Sequence, residues 1–222
     1  MPLSISIEEF VDRSAEPAVR GFLHAPAVAN GDSLLLTHGA GANCQSNLLM
    51  NLSTAFAETG FTVLRCDLPF RQSRPFGPPF PGMAERDRQG IRRAIELLKP
   101  KTTGRIFAGG HSYGGRQTTM LISEHPELAD GLLLLSYPLH PPRKPDQLRT
   151  SHFPKLIRPA LFVHGARDPF GSFDEMNAAL HLIAGRHALL EISGAGHELL
   201  KKGSAGDLPA LIVRSFQEFL HS

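Results

Sequence analysis

The sequence has 222 residues, of which 41% are hydrophobic and 20% are charged, and its 23 basic and 21 acidic side chains leave a formal net charge of +2. This length is enough for one substantial hydrophobic core, so we expect a single domain over residues 1–222, neither disordered nor fibrous. The small charge excess argues against nucleic acid as a partner, and no apolar run approaches the roughly 20 residues of a membrane helix.

Apolar runs that predict strands alternate along the chain with segments that predict helices, which is typical of an α/β fold. Most of these runs are continuously apolar, as expected where helices cover both faces of a parallel sheet, and the first, more polar run is a candidate antiparallel edge strand. In chain order, the predicted strands are residues 18–23, 33–37, 61–66, 105–108, 131–136, 160–164 and 188–192. The predicted helices are residues 45–58, 83–98, 113–124, 173–183 and 208–221. We therefore predict an α/β fold with a twisted, mostly parallel sheet of about seven strands, helices on both faces and no cap domain.

Two of the connections, residues 68–82 and 137–158, are unusually long for such a fold, where loops of about 2 to 6 residues are common. Prolines stiffen both connections, and both carry aromatic and basic side chains. Two interpretations stay open. The loops either wall a shallow, open pocket, in which we expect Phe70 and His140 to contact a substrate, or they are rigid surface loops without a ligand role.

A serine lies between glycines at one strand-to-helix junction. Gly110-His111-Ser112-Tyr113-Gly114 fits the pattern G-x-S-x-G, with a predicted strand directly before it and a predicted helix directly after it. In this pattern the serine occupies a strained turn, and the flanking glycines let neighbouring backbone approach closely. The context predicts that Ser112 is a nucleophile held above the N-terminus of the helix.

A serine hydroxyl is a weak nucleophile near neutral pH, so it needs a histidine to remove its proton and a carboxylate to orient that histidine. Asp168 follows the sixth predicted strand, and His197 follows the seventh in a glycine-rich loop. The order serine, acid, histidine is the one expected for this kind of turn, at the strand ends where open α/β sheets bind ligands. We predict Ser112, Asp168 and His197 as catalytic residues. Asp67 is the chief competitor for the acid, although it precedes the serine.

Acyl transfer also needs hydrogen-bond donors for the oxyanion. We predict that the backbone N–H of Tyr113 is one donor and that the N–H of Ala40 is the other, with the N–H of Gly41 as the alternative to Ala40. Ala40 and Gly41 lie in the glycine-rich loop of residues 38–43. This loop lacks the lysine of a phosphate-binding loop and the spacing of a dinucleotide-binding loop, so nucleotide binding is not expected.

The N-terminal residues and the cysteines predict a cytoplasmic protein. Residues 1–9 carry acidic side chains where a secretory signal carries basic ones, and they lack a long apolar core. Cys44 and Cys66 form neither a disulfide framework nor a metal-ligand spacing. We expect a protein that is not exported, that lies in a reducing compartment and that binds no metal. No pattern in the sequence defines an oligomeric state.

Four motifs resemble those of the α/β-hydrolase superfamily, and in particular its small, cap-less members similar to dienelactone hydrolases and carboxylesterases. In chain order they are His38-Gly39, Gly110-His111-Ser112-Tyr113-Gly114-Gly115, Gly165-Ala166-Arg167-Asp168-Pro169 and Gly196-His197. The resemblance covers roughly residues 17–222. It implies a doubly wound, mostly parallel sheet, a Ser-Asp-His triad and no cofactor. Dienelactone hydrolase itself has a cysteine where this chain has Ser112, so its particular substrate is not implied.

Three functions stay open at this point. The first is a serine hydrolase that cleaves carboxylic ester bonds of small substrates, and we expect this one because no triad position is missing. The second keeps the triad but acts on thioesters, lactones or peracids. The third is a non-enzymatic interaction module, because residues 137–142 resemble a stretch of small predicted hydrolases whose eukaryotic relatives include a subunit of a chromatin complex.

Overall fold

The structure is a computed structural model that describes residues 4–200 and 207–222. Its strands are β1 (Ser6–Asp12), β2 (Val19–Ala25), β3 (Ser33–Thr37), β4 (Thr62–Asp67), β5 (Ile106–His111), β6 (Gly131–Leu135), β7 (Ala160–Gly165) and β8 (His187–Ile192). Its α-helices are α1 (Asn47–Glu58), α2 (Pro69–Ser73), α3 (Ala84–Leu98), α4 (Tyr113–Glu124), α5 (Phe173–Leu180) and α6 (Leu208–His221).

One sheet contains these strands in the order β1-β2-β4-β3-β5-β6-β7-β8. From β4 to β8 all neighbours are parallel, whereas β2 is antiparallel to both β1 and β4. The mostly parallel sheet is therefore confirmed, with eight strands in the described residues instead of about seven. Those residues contain no separate cap domain, and no helix among them is long and apolar enough to cross a membrane.

Hydrophobic side chains from the central strands are buried on both faces of the sheet, because successive residues of a strand point in opposite directions. In β3, for example, Leu35 packs on one side of the sheet and Leu34 and Leu36 on the other. Helices α3, α4 and α5 cover the first side, and α1 and α6 cover the second. This double coverage explains why the central strands are continuously apolar in sequence.

The structure differs from the sequence-based expectation at β1 and α2. The strand predicted at the sheet edge, now β2, is antiparallel as expected but lies between β1 and β4. The edge assignment is wrong because β1 was not anticipated: most of its residues are exposed, so it has no buried face to produce an apolar pattern. Helix α2 is five residues long and begins at Pro69 inside the first long connection. The other elements begin and end within three residues of their predicted bounds.

Candidate active site

The turn between β5 and α4 holds Ser112 in a strained backbone conformation. Its φ of 51° and ψ of −115° form a combination that residues other than glycine rarely adopt. The N–H of Ser112 donates a hydrogen bond of 2.8 Å to the carbonyl of Leu135 at the end of β6. A Cβ atom on Gly114 would lie 2.5 Å from Thr37 Oγ1 and 2.6 Å from the carbonyl oxygen of His38. Glycine at this position therefore lets the first turn of α4 lie against the end of β3, and this close packing holds the strained turn in place.

Hydrogen bonds join the three residues predicted as the triad, which come from the ends of β5, β7 and β8. The Oγ atom of Ser112 lies 2.8 Å from His197 Nε2, and His197 Nδ1 lies 2.8 Å from Asp168 Oδ2. Because an ionised carboxylate only accepts hydrogen bonds, we assign the imidazole proton to Nδ1. Nε2 is then free to accept the hydroxyl proton of Ser112. The arrangement allows the imidazole to act as a base toward the serine.

The loops that carry Asp168 and His197 are held together by backbone contacts. The N–H of Arg167 donates to the carbonyl of Ala195 at 2.9 Å, which joins the loop after β7 to the loop after β8. A Cβ atom on Gly165 would lie only 2.4 Å from the carbonyl oxygen of Gly196, so a side chain at this position would push the two loops apart. The close approach of the two loops places the carboxylate beside the imidazole.

Two further rings hold His197 in place. The Nε2–H of His111 donates to the carbonyl of His197 at 2.8 Å, and burial lowers the pKa of His111, so this imidazole is neutral near pH 7. The ring of Phe170 packs on His197 with centroids 4.3 Å apart, and the N–H of Phe170 donates to Asp168 Oδ1 at 2.8 Å. Sequence analysis missed Phe170. The available signal was an aromatic residue two positions after the predicted acid.

The 38–43 loop lies directly beside Ser112. A Cβ atom on Gly39 would lie 3.4 Å from the Cβ of Ser112. His38 accepts a hydrogen bond at Nε2 from the N–H of Leu68 and donates from Nδ1 to the carbonyl of Gly39, at 3.0 and 2.8 Å. Burial lowers the pKa of His38 to about 4, so its ring is neutral and keeps this single tautomer. Within the described ranges, the N–H groups of Ala40 and Tyr113 make no hydrogen bond to other protein groups.

A buried carboxylate lies under the side chain of Tyr113. The hydroxyl of Tyr113 donates to Asp87 Oδ2 at 2.7 Å, and the N–H of Phe70 donates to Asp87 Oδ1 at 2.9 Å. Burial raises the pKa of Asp87, and burial together with the hydrogen bond to Asp87 raises the pKa of the Tyr113 hydroxyl. Asp87 thus connects α3 to the start of α4 and to α2. No motif identified it in the sequence.

The two residues predicted to contact substrate are both buried. Phe70 is 1% exposed, and its ring packs edge-on against Tyr113 with centroids 5.6 Å apart. His140 is 5% exposed, and its Nδ1 donates to the carbonyl of Pro141 at 2.8 Å. The backbone N–H of His140 donates to the carbonyl of Phe170 at 3.0 Å. These positions leave little of either side chain for a substrate to touch. Contact between either residue and a substrate stays a prediction.

The competing acid, Asp67, has other partners. Its Oδ1 accepts the N–H of Cys44 at 2.8 Å, and its Oδ2 lies 3.1 Å from Arg20 Nη2. Asp67 Oδ1 lies 3.8 Å from Nε2 of the neutral His38, whereas the hydrogen bond to His197 is made by Asp168. The structure therefore brings Asp168, and not Asp67, to the predicted base.

The two cysteines are free and buried. Burial raises the pKa of Cys44 to about 12 and raises the pKa of Cys66 well above its usual value, so both thiols stay protonated near pH 7. Residues 4–200 and 207–222 contain no group of three or more His, Cys, Asp or Glu side chains placed to hold a metal ion.

Comparison with known proteins identifies the family. Residues 30–217 match the family model described as an alpha/beta hydrolase domain. The chain belongs to the α/β-hydrolase family. This membership supports a hydrolase, and it agrees with the superfamily resemblance of the four sequence motifs.

Solved structures of other α/β hydrolases are similar over nearly the whole chain. Dienelactone hydrolase from Anabaena variabilis ATCC 29413 has a TM-score of 0.76 and 21% identity, with 98% of each chain covered. Est1E from Butyrivibrio proteoclasticus has a TM-score of 0.75 and 14% identity, covering 96% of this chain and 99% of that chain. An alpha-beta serine hydrolase homologue from Coxiella burnetii has a TM-score of 0.73 and 16% identity, covering 94% and 96%. At these identities the likeness shows the fold and leaves the reaction to be argued from the site.

Proposed function

We propose that this α/β hydrolase is a serine hydrolase that cleaves carboxylic ester bonds of small substrates. The observation that carries the proposal is the unbroken chain of hydrogen bonds from Ser112 Oγ through His197 to Asp168, with both distances at 2.8 Å. The strained turn at Ser112 adds support, because strain of this kind is concentrated at functional sites.

In the proposed mechanism, Nε2 of His197 removes the hydroxyl proton of Ser112 as Oγ attacks the carbonyl carbon of the ester. Asp168 holds the imidazole in the correct tautomer and stabilises the imidazolium that forms. The negative charge that develops on the carbonyl oxygen is stabilised by the N–H groups of Ala40 and Tyr113. The imidazolium then protonates the leaving alcohol, which departs and leaves an acyl group on Ser112.

Hydrolysis of the acyl-enzyme uses the same groups, with water as the proton donor to His197 and Ser112 as the final proton acceptor. His197 removes a proton from water, and the resulting hydroxide attacks the acyl carbon. The second tetrahedral intermediate collapses, and the imidazolium returns its proton to Ser112 Oγ, which releases the carboxylic acid. No cofactor or metal takes part in this sequence of steps.

Two features support a small substrate and a cytoplasmic location. The described residues include no separate cap domain over Ser112, so a small ester can reach the serine without the opening of a second domain. The cysteines are unpaired, as is usual in a reducing compartment. The net charge of +2 gives no support to nucleic acid as a partner.

The test combines covalent labelling with turnover. We expect a fluorophosphonate to add once to the wild-type protein, as seen by intact mass, and we expect hydrolysis of p-nitrophenyl acetate. Both should be lost in Ser112→Ala and His197→Ala, with turnover reduced at least about 10⁴-fold, because nucleophile and base act as one unit.

Ser123→Ala is the matched control, since Ser123 lies in α4, the helix that begins directly after Ser112, and its hydroxyl donates to the carbonyl of Met120. It should be labelled and should turn over like the wild type. Ester hydrolysis at the wild-type rate in folded Ser112→Ala, checked by circular dichroism, would rule out the proposed nucleophile. A folded wild-type protein that neither labels nor hydrolyses esters would favour the interaction module.

A further inference from the structure

Arg71 is a buried cation that binds four backbone carbonyls. It lies in α2 and is 4% exposed. Its Nε donates to the carbonyl of Ala42 at 2.7 Å, and its Nη2 donates to the carbonyls of Ala40 at 2.8 Å and Gly77 at 2.9 Å. Its Nη1 donates to the carbonyl of Arg74 at 2.9 Å. The guanidinium therefore joins the 38–43 loop to the first long connection.

The charge of Arg71 is satisfied by peptide dipoles and not by a contact ion pair. Among the described residues, the nearby carboxylate of Asp67 pairs with Arg20 and accepts the N–H of Cys44 instead. Burial lowers the pKa of Arg71, although a guanidinium remains charged at any physiological pH. Burying a charge is costly, and a guanidinium has five donors in a fixed planar arrangement. Here this arrangement is used to fix the backbone of two loops.

Peptide geometry connects these contacts to the proposed oxyanion donors. In a trans peptide the C=O and the N–H of the next residue point in opposite directions. The carbonyl of Gly39, held by His38, therefore fixes the direction of the N–H of Ala40. The carbonyl of Ala40, held by Arg71, fixes the direction of the N–H of Gly41. The peptide planes on both sides of the Ala40 Cα are thus locked, the second of them by Arg71.

Phe70, which precedes Arg71 in α2, connects this helix to Tyr113, whose N–H is the second proposed donor. The guanidinium of Arg71 lies 4.9 Å from the centroid of the Phe70 ring, and that ring packs edge-on against Tyr113 and tilted against His38. Helix α2 therefore contacts both sides of the position where the oxyanion would lie. One side is the 38–43 loop and the other is the first residue of α4.

We infer that Arg71 is a positioning residue for the oxyanion hole, holding the 38–43 loop so that its amides face the carbonyl under attack by Ser112. The inference rests on the proposed function and extends it, because it assigns a role in transition-state stabilisation to a residue that touches neither substrate nor triad. Arg71 acts here through the backbone of Ala40 and Ala42. Its loss should leave the triad assembled and should release the peptide between Ala40 and Gly41, so that the 38–43 loop no longer holds its amides in a fixed direction.

The test uses Arg71→Met, which keeps much of the side-chain volume and removes all donors, and Arg71→Lys, which keeps the charge without the planar set of donors. For p-nitrophenyl acetate we expect kcat to fall about 10² to 10³-fold in Arg71→Met, the size of effect seen when one oxyanion donor is lost, with KM changed by less than about threefold. Arg71→Lys should lie between this variant and the wild type. The inhibition constant of a trifluoromethyl ketone, which forms a tetrahedral adduct with the serine, should rise in proportion to the fall in kcat/KM.

Arg74→Met is the matched control. Arg74 lies in the same connection and stacks on Phe80, but its side chain bonds the carbonyls of Phe76 and Pro78 and none in the 38–43 loop. It should keep wild-type kcat. Circular dichroism and thermal unfolding separate folding from rate, and Arg71→Lys decides the question if Arg71→Met does not fold.

A residue with a merely structural role would lower the unfolding temperature and leave kcat per folded molecule and the inhibitor affinity unchanged. That result in either Arg71 variant, with an active wild type, overturns this inference and leaves the proposed function intact. A folded wild type without labelling or turnover overturns both.

Discussion

Three histidines around Ser112 are each held in one tautomer by a partner that only accepts or only donates. His197 donates from Nδ1 to Asp168, His111 donates from Nε2 to the carbonyl of His197, and His38 accepts at Nε2 from the N–H of Leu68. These three rings present their polar atoms in fixed directions. The orientation of each polar atom thus follows from backbone groups and one carboxylate.

The assignment of the acid is tested by Asp168→Asn. An asparagine amide in place of the carboxylate would favour the wrong imidazole tautomer, so we expect kcat for p-nitrophenyl acetate to fall about 10⁴-fold with little change in fold. Asp67→Asn is the comparison, and because Asp67 bonds Cys44 and Arg20 it should cost less than about tenfold. Steady-state kinetics of both variants, with circular dichroism, make the measurement. The opposite ranking would return the acid role to Asp67.

At the scale of single residues, the sequence predicts those that belong to a local motif and misses those that are placed by distant parts of the chain. Ser112 was identifiable from the glycines beside it, and Asp168 and His197 from the strands that precede them. Asp87 and Arg71 were not, because their partners Tyr113 and Ala40 lie 26 and 31 residues away. Only the folded sheet brings such pairs together.

At the scale of elements, α6 seals one face of the sheet through an aromatic cluster. Phe216 is fully buried, and its ring packs edge-on against Phe56 of α1 and Phe107 of β5 with centroids 5.7 and 5.2 Å apart. The helix, the sheet and α1 therefore share one hydrophobic contact. The predicted bounds of α6, residues 208–221, agree with the structure because its apolar stripe repeats with the helical period.

Phe216→Ala should lower the free energy of unfolding by about 3 to 5 kcal/mol, because it removes buried apolar surface and leaves a cavity between three elements. Phe76→Ala is the control, since Phe76 is 85% exposed and its loss should change stability by less than about 0.5 kcal/mol. Urea unfolding followed by far-UV circular dichroism gives both values. Equal stabilities of the two variants would contradict the packing described for α6.

The two elements that the sequence did not reveal either lack a buried face or are too short to show a period. Strand β1 contains Glu8 and Glu9 and is mostly exposed, so it depends on its pairing with β2 and not on apolar periodicity. Helix α2 is too short to show a period, and its one proline and one basic residue are also typical of loops. In both cases the determining interactions are made with residues elsewhere in the fold.

Across the whole molecule, several imidazoles are buried in a neutral state. Burial lowers the pKa values of His24, His38 and His152 to about 4, with Arg65 adding to the shift at His24 and Arg116 at His152. Unfolded histidine titrates near pH 6.5. Between these pH values the unfolded chain binds more protons than the folded one, so the free energy of unfolding must fall as the pH falls from about 6.5 toward 4.

We expect urea unfolding to show a loss of stability on the order of several kcal/mol between pH 7.5 and pH 4.5. His24→Gln should show a smaller loss, because glutamine retains an acceptor for Arg65 Nε but does not titrate. The exposed His181 supplies the control, and His181→Gln should follow the wild-type profile. A wild-type stability that is flat or rises over this interval would contradict neutral burial of these rings.

The position of β8 at the sheet edge has a consequence for folding. Ser112 follows β5, a central strand, whereas His197 follows β8, which among the described residues pairs with β7 alone and is only partly buried. The hydrogen bond between them spans 85 residues and requires β8 to be docked on β7, so it cannot form before this strand has joined the sheet. Brief detachment of this edge separates the imidazole from the serine while the buried core stays intact. The complete site therefore exists only while this edge strand is in place.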